Sequence, residues 1–103
     1  MEILNRETFL ADTDTQPRLF ESTIWGGALK YRPATVADKA AARRKSTVKG
    51  DLDQEKFECY LIVQCTIEPQ LGDMDVDVLM KKSATEINRY AAALVGGADD
   101  PTT

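Results

Sequence analysis

Cys59 and Cys65, the acids Asp73, Asp75 and Asp77, and the Gly26-Gly27 pair are the residues whose type and spacing invite a chemical reading. Two cysteines six residues apart on one helix stand about 9 Å apart along its axis, too far for a disulfide. The chain has no histidine and no C-x-x-C pair to complete a metal site, so both read as reduced, buried, small hydrophobes. The lack of histidine also removes any Ser-His or Cys-His nucleophile from within the chain. A calcium loop opening at Asp73 would need glycine at its sixth position and glutamate at its twelfth, where Val78 and Ala84 stand. Those acids read instead as caps and first-turn charges of helices. Gly26-Gly27 lacks both the P-loop lysine and the G-x-G-x-x-G spacing, which leaves a turn. The expectation is a protein without catalytic residues, metal or cofactor.

The elements around these residues predict an α+β chain, mostly α, in which an N-terminal β-hairpin precedes a bundle of about four helices. Its 103 residues, 43% apolar and 29% charged, suit one domain with one core. Residues 1–16 are expected to be a flexible arm whose short helical stretch gathers Ile3, Phe9 and Leu10 near one face. Residues 17–97 form the domain. The hairpin spans 17–33, with β-branched and aromatic residues on either side of the Gly-Gly turn. Helices follow at about 35–47 with Thr35 as N-cap, 53–67 capped by Asp51 or Asp53, 75–82 capped by Asp73 or Asp75, and 83–96. The second of these is apolar on every side from 59 to 63, as a helix enclosed by neighbours must be; a strand over 59–67 is its rival. Ser83 and Glu86 have capping-box spacing, and Ile87, Tyr90, Ala91, Leu94 and Val95 make a core-facing stripe that ends at Gly96-Gly97. Residues 98–103 are expected to be a disordered tail.

Three features are suited to binding. Phe20, Trp25 and Tyr31 concentrate aromatic area in a two-stranded ribbon that must pack on helices or lend its edges to a partner. Arg43, Arg44 and Lys45 form a basic cluster, either a solvated helix face or a surface that steers acidic partners. The apolar residues near Ile3 and Phe9 would order on a partner. A net charge of −4 does not suit general nucleic-acid binding. The five basic residues of 39–49 and the exclusively acidic charges of 68–77 allow the chain to pair with itself, so a homo-oligomer is a further expectation. Residues 1–11 lack a signal peptide's basic and apolar regions, and no stretch reaches the roughly 20 apolar residues that span a bilayer, which predicts a cytoplasmic protein.

The order of elements and two local patterns resemble a known family. Ile24-Trp25-Gly26-Gly27, then a strand ending Tyr31-Arg32-Pro33-Ala34-Thr35, then a helix opening Val36-Ala37-Asp38, is similar to phage tail assembly chaperones. The later half continues the likeness with a buried helix over 60–67, a short acid-capped helix over 75–82, and Lys82-Ser83 opening the last helix. The basic run after Thr35, with Lys39 where such helices carry arginine, departs from the pattern. The resemblance implies a small cytosolic, non-enzymatic protein encoded between the tail tube and tape measure genes. Such a protein binds the tape measure protein and tail tube subunits and leaves before the tail is complete. The rival expectation is a structural tail or virion component that self-assembles through its opposed basic and acidic surfaces.

Overall fold

The computed structural model describes residues 3–11 and 15–96. Among the described residues of the expected arm, a short helix, α1 (Arg6–Leu10), starts at Asn5, whose side chain accepts the Thr8 N–H, and buries none of its residues. The expected tail at 98–103 lies outside the described residues.

The hairpin forms as β1 (Arg18–Ser22) and β2 (Gly27–Tyr31), antiparallel, with Arg18 opposite Tyr31 and Ser22 opposite Gly27. Gly26 holds φ +81° in the connection, a conformation that favours glycine. Alternation along β1 turns Phe20 and Ser22 inward and leaves Leu19 and Glu21 outside.

Helix α2 (Val36–Ser46) opens on a full capping box: the Thr35 hydroxyl accepts the Asp38 N–H, and the Asp38 carboxylate accepts the Thr35 N–H. It packs on α3 (Gln54–Cys65) through small or capped residues, Asp38, Ala42 and Ser46, which permit a close approach. Between them lies a small ribbon absent from the sequence reading. Here β3 (Thr47–Val48) pairs with β4 (Asp51–Leu52) around Lys49 and Gly50, both at positive φ. The cap of α3 is Asp53 rather than Asp51, its side chain accepting the Lys56 N–H.

The expected helix over 53–67 stops two residues early. Thr66, Ile67 and Glu68 are extended as β5 (Thr66–Glu68), which pairs antiparallel with β2 and gives the three-stranded order β1-β2-β5. The cause is non-local: β2 has an edge to satisfy, and Thr66 finds Tyr31 across it. The Glu68–Pro69 peptide is cis. The helix expected over 75–82 is likewise shorter, a 3₁₀ turn (Asp73–Asp75) running into α4 (Val76–Leu79). Neither Asp73 nor Asp75 caps α4 as expected: Asp75 makes no side-chain cap bond to it and accepts the Gly72 N–H in the preceding turn instead.

The last helix, α5 (Ala84–Leu94), buries Ile87, Tyr90, Ala91 and Leu94 of the expected stripe, but Val95 is half exposed because the helix has ended. Gly96 follows at φ +91°. The core therefore lies where α3, α4 and α5 meet the inner face of the hairpin.

Candidate partner-binding groove

Tyr90 is the hub around which the aromatic residues assemble. It is fully buried, and its ring lies 4.7 Å from Phe20, 5.8 Å from Tyr31 and 6.2 Å from Trp25, the last two edge-on. Such pairs add about 0.5–1.5 kcal/mol each beyond the area they bury. The Tyr90 hydroxyl shares a 2.6 Å hydrogen bond with Thr66 at the end of α3, and burial pushes its pKa up to about 12. One side chain thus fastens α5 to the hairpin and to β5.

The turn that carries Trp25 is held by a polar relay from α5. Ser22 accepts the Trp25 N–H at 3.0 Å and donates to Glu86 at 2.5 Å. Arg89 grips the Glu86 carboxylate through two nitrogens at 2.8 and 3.1 Å. These bonds, Arg89's first, hold the Glu86 pKa below its ordinary value. Arg89 then donates to the Glu21 carbonyl at 2.9 Å and lies 4.3 Å over the Phe20 ring. The capping box expected of Ser83 and Glu86 is therefore half made: Ser83 accepts the Glu86 N–H, but the Glu86 side chain turns to Ser22. A carboxylate this buried is better satisfied by a hydroxyl and a guanidinium than by one backbone N–H.

This relay sets Trp25 as one wall of an apolar groove of about 240 Å³. Trp25 and Leu29 come from the hairpin, Pro69 and Leu71 from the loop after β5, Leu79 from α4, and Ile87 from α5. Ile62 and Tyr90 make the floor, both buried. The charge on the rim is Lys82, whose ammonium sits 5.6 Å over the Trp25 ring. Beyond Lys82, Leu79 and Ile87 continue into a smaller recess of about 80 Å³ edged by Glu55 and Glu58. Burial raises the Glu58 pKa. Such a lining offers apolar contact and one cation to an incoming side chain.

Of the six residues singled out from sequence, Phe20, Trp25 and Tyr31 gather around Tyr90, and Arg43, Arg44 and Lys45 do not join them. Trp25 is half-buried at the groove. Phe20 and Tyr31, 5% and 3% exposed, are core residues and offer a partner no surface in this fold; strand alternation and the pull of Tyr90 turn both inward. Arg43, Arg44 and Lys45 lie on the exposed side of α2 and do not line the groove. Arg43 sits 5.8 Å over Phe57. Lys45 reaches Asp73 at 2.9 Å, so the basic and acidic segments meet within one chain. Leu29, Leu71 and Leu79 escaped the sequence reading because only the pairing of β5 brings the Pro69 loop beside the hairpin.

A second polar cluster fixes the start of α2. The Asp38 carboxylate receives Arg32 at 2.5 and 2.9 Å and the Thr35 N–H at 2.8 Å, which hold its pKa well below the usual carboxylate range. Both thiols are buried and free; burial pushes Cys59 up to about 11 and Cys65 up to about 12. Among the described residues no helix is long and apolar enough to cross a membrane. Compared with protein-family models, with curated proteins and with solved structures, the chain matches none.

Proposed function

We propose that this chain is a non-catalytic binding protein, a tail assembly chaperone of a phage or prophage. It binds the tape measure protein and tail tube subunits in the host cytoplasm while the tail is built. The observation that carries the reading is the open apolar groove beside Trp25. A chaperone for a long amphipathic helix needs a preformed apolar slot with a polar rim, so that contacts form without rearrangement and release again. The Ser22–Glu86–Arg89 relay supplies the rigidity, and Lys82 supplies the rim charge. The order of hairpin, capped helix, buried helix, short helix and last helix is the order on which the resemblance was drawn.

The rival, a tail component assembling through opposed charges, is weakened by the Lys45–Asp73 bond, which engages one member of each charged segment inside a single chain. Co-expression with the protein encoded immediately downstream separates the two readings. The chaperone reading expects a soluble, co-eluting complex on size-exclusion chromatography with light scattering, and absence of this chain from finished particles. Its presence in particles beside an insoluble partner would overturn it.

A further inference from the structure

The groove described above has a matching plug in the same sequence. Helix α1 and the residues before it display Ile3, Leu4, Phe9 and Leu10, which are 96, 63, 67 and 59% exposed. Four large apolar side chains within eight residues are each more than half exposed, and α1 buries none of its residues. Such exposure is costly in water, at about 25 cal/mol for each Å² of apolar surface, and favours any arrangement that covers it.

The geometry points to the groove of a second copy of this chain as the place where the arm docks, with Phe9 and Leu10 entering between Trp25, Leu71 and Leu79. Three observations select this occupant. The groove is apolar and open, of a size to take aromatic and aliphatic side chains. Glu7 stands three residues before Leu10, on the adjoining side of α1, while the charge on the groove's rim is Lys82, whose ammonium lies over the Trp25 ring. The arm's four apolar side chains are each more than half exposed and none of them lines the groove of its own chain, which leaves that groove open to a neighbour's arm.

Plug and socket are different surfaces, so each copy offers one of each and the contact repeats head to tail, closing as a ring or extending as a filament. The arm also competes with any apolar helix for the groove. A free pool of the protein is then self-capped, and a partner displaces the neighbour's arm. This inference holds whatever the external partner is, because it is tested on the isolated full-length chain.

Trp25 is the chain's single tryptophan, so its emission reports the groove directly. Sedimentation velocity and Trp25 fluorescence are measured together across a concentration series. Association is expected with a matching shift of emission to shorter wavelength as the groove loses water. Phe9→Asp, at an exposed position whose change leaves the core intact, weakens association more than about tenfold. A peptide of residues 1–11 added to that variant restores the emission shift. Glu7→Lys weakens association about threefold, as expected for an exposed ion pair, and Lys82→Glu in the same chain recovers it. A monomer at every concentration would overturn the inference. So would association that survives Phe9→Asp, or a concentration-independent emission lost in Phe9→Asp, which would mean that the arm closes on its own groove.

Discussion

Replacing Asp38 by asparagine keeps the size of the side chain and removes its charge at the point where β2, α2 and the end of α3 are joined. The native carboxylate accepts both Arg32 nitrogens and the Thr35 N–H, while Arg32 also donates to the Gln64 carbonyl at 3.3 Å. A hydrogen bond to a charged group is worth about 1.5–3 kcal/mol, and a lost N-cap partner about 1 kcal/mol. The Arg32 side chain is 30% exposed, so water recovers part of its loss, and the expected cost is about 2–3 kcal/mol at pH 7. For a chain of this size that lowers Tm by roughly 10–20 °C. The pH dependence carries a second signature. The folded Asp38 pKa lies below its ordinary value of 3.8, so on acidification the unfolded chain takes the proton first. The stabilisation is complete above about pH 4 and is lost as pH falls through the lower folded value. Urea unfolding of wild type and Asp38→Asn at pH 7 and again near pH 2 reads both effects: a wide gap in midpoint at neutral pH that narrows in acid without closing, since the folded carboxylate is still largely ionised there. A gap below about 0.5 kcal/mol at pH 7, within the range of ordinary surface changes, would refute the reasoning. So would a gap of equal size at both pH values.

Tyr90→Phe keeps the aromatic hub but removes the bond to Thr66, and should cost about 1 kcal/mol by chemical denaturation, more if the Thr66 hydroxyl is left without a partner. Lys49→Asn relieves a lysine held at φ +53° in the β3–β4 turn and should raise stability by about 0.5 kcal/mol, read as a Tm increase of a few degrees. Lys45→Ala breaks only an exposed pair and should change stability by less than about 1 kcal/mol, the difference fading in high salt. Cys59 and Cys65, buried and with raised pKa values of about 11 and 12, should resist an aromatic disulfide reagent at pH 8 in the folded protein and react fully in denaturant.

What was legible in the sequence is what local chemistry decides. The caps at Thr35, Asp53 and Ser83, the glycine in the hairpin connection and the stripe on α5 as far as Leu94 each depend on residues a few positions apart, and each formed. The α+β order, a hairpin followed by helices, followed from them. What was not legible depends on distance along the chain. Residues 66–68 carry an apolar helix's composition up to Ile67, and only the free edge of β2, some 35 residues earlier, draws them into a strand. Glu86 has capping-box spacing, yet its partner Ser22 stands 64 residues away. The burial of Phe20 was within reach, since alternation in β1 puts Phe20 and Ser22 on one face and Leu19 and Glu21 on the other. The groove itself was beyond reach because its walls come from four separate elements.

The central claim is that the Trp25 groove is where an apolar helix of the partner is held. Leu71, half-buried on the groove's lip, can be changed to arginine to put charge in the slot at little cost to the core. Wild type, Leu71→Arg and an Arg43→Ser, Arg44→Ser double variant are each co-expressed with the protein encoded immediately downstream and passed through size-exclusion chromatography with light scattering. The account predicts that wild type and the double variant co-elute with the partner as a defined complex and that Leu71→Arg elutes without it. Co-elution of Leu71→Arg to the same extent as wild type would contradict it, as would loss of the complex only when the arginines on α2 are removed.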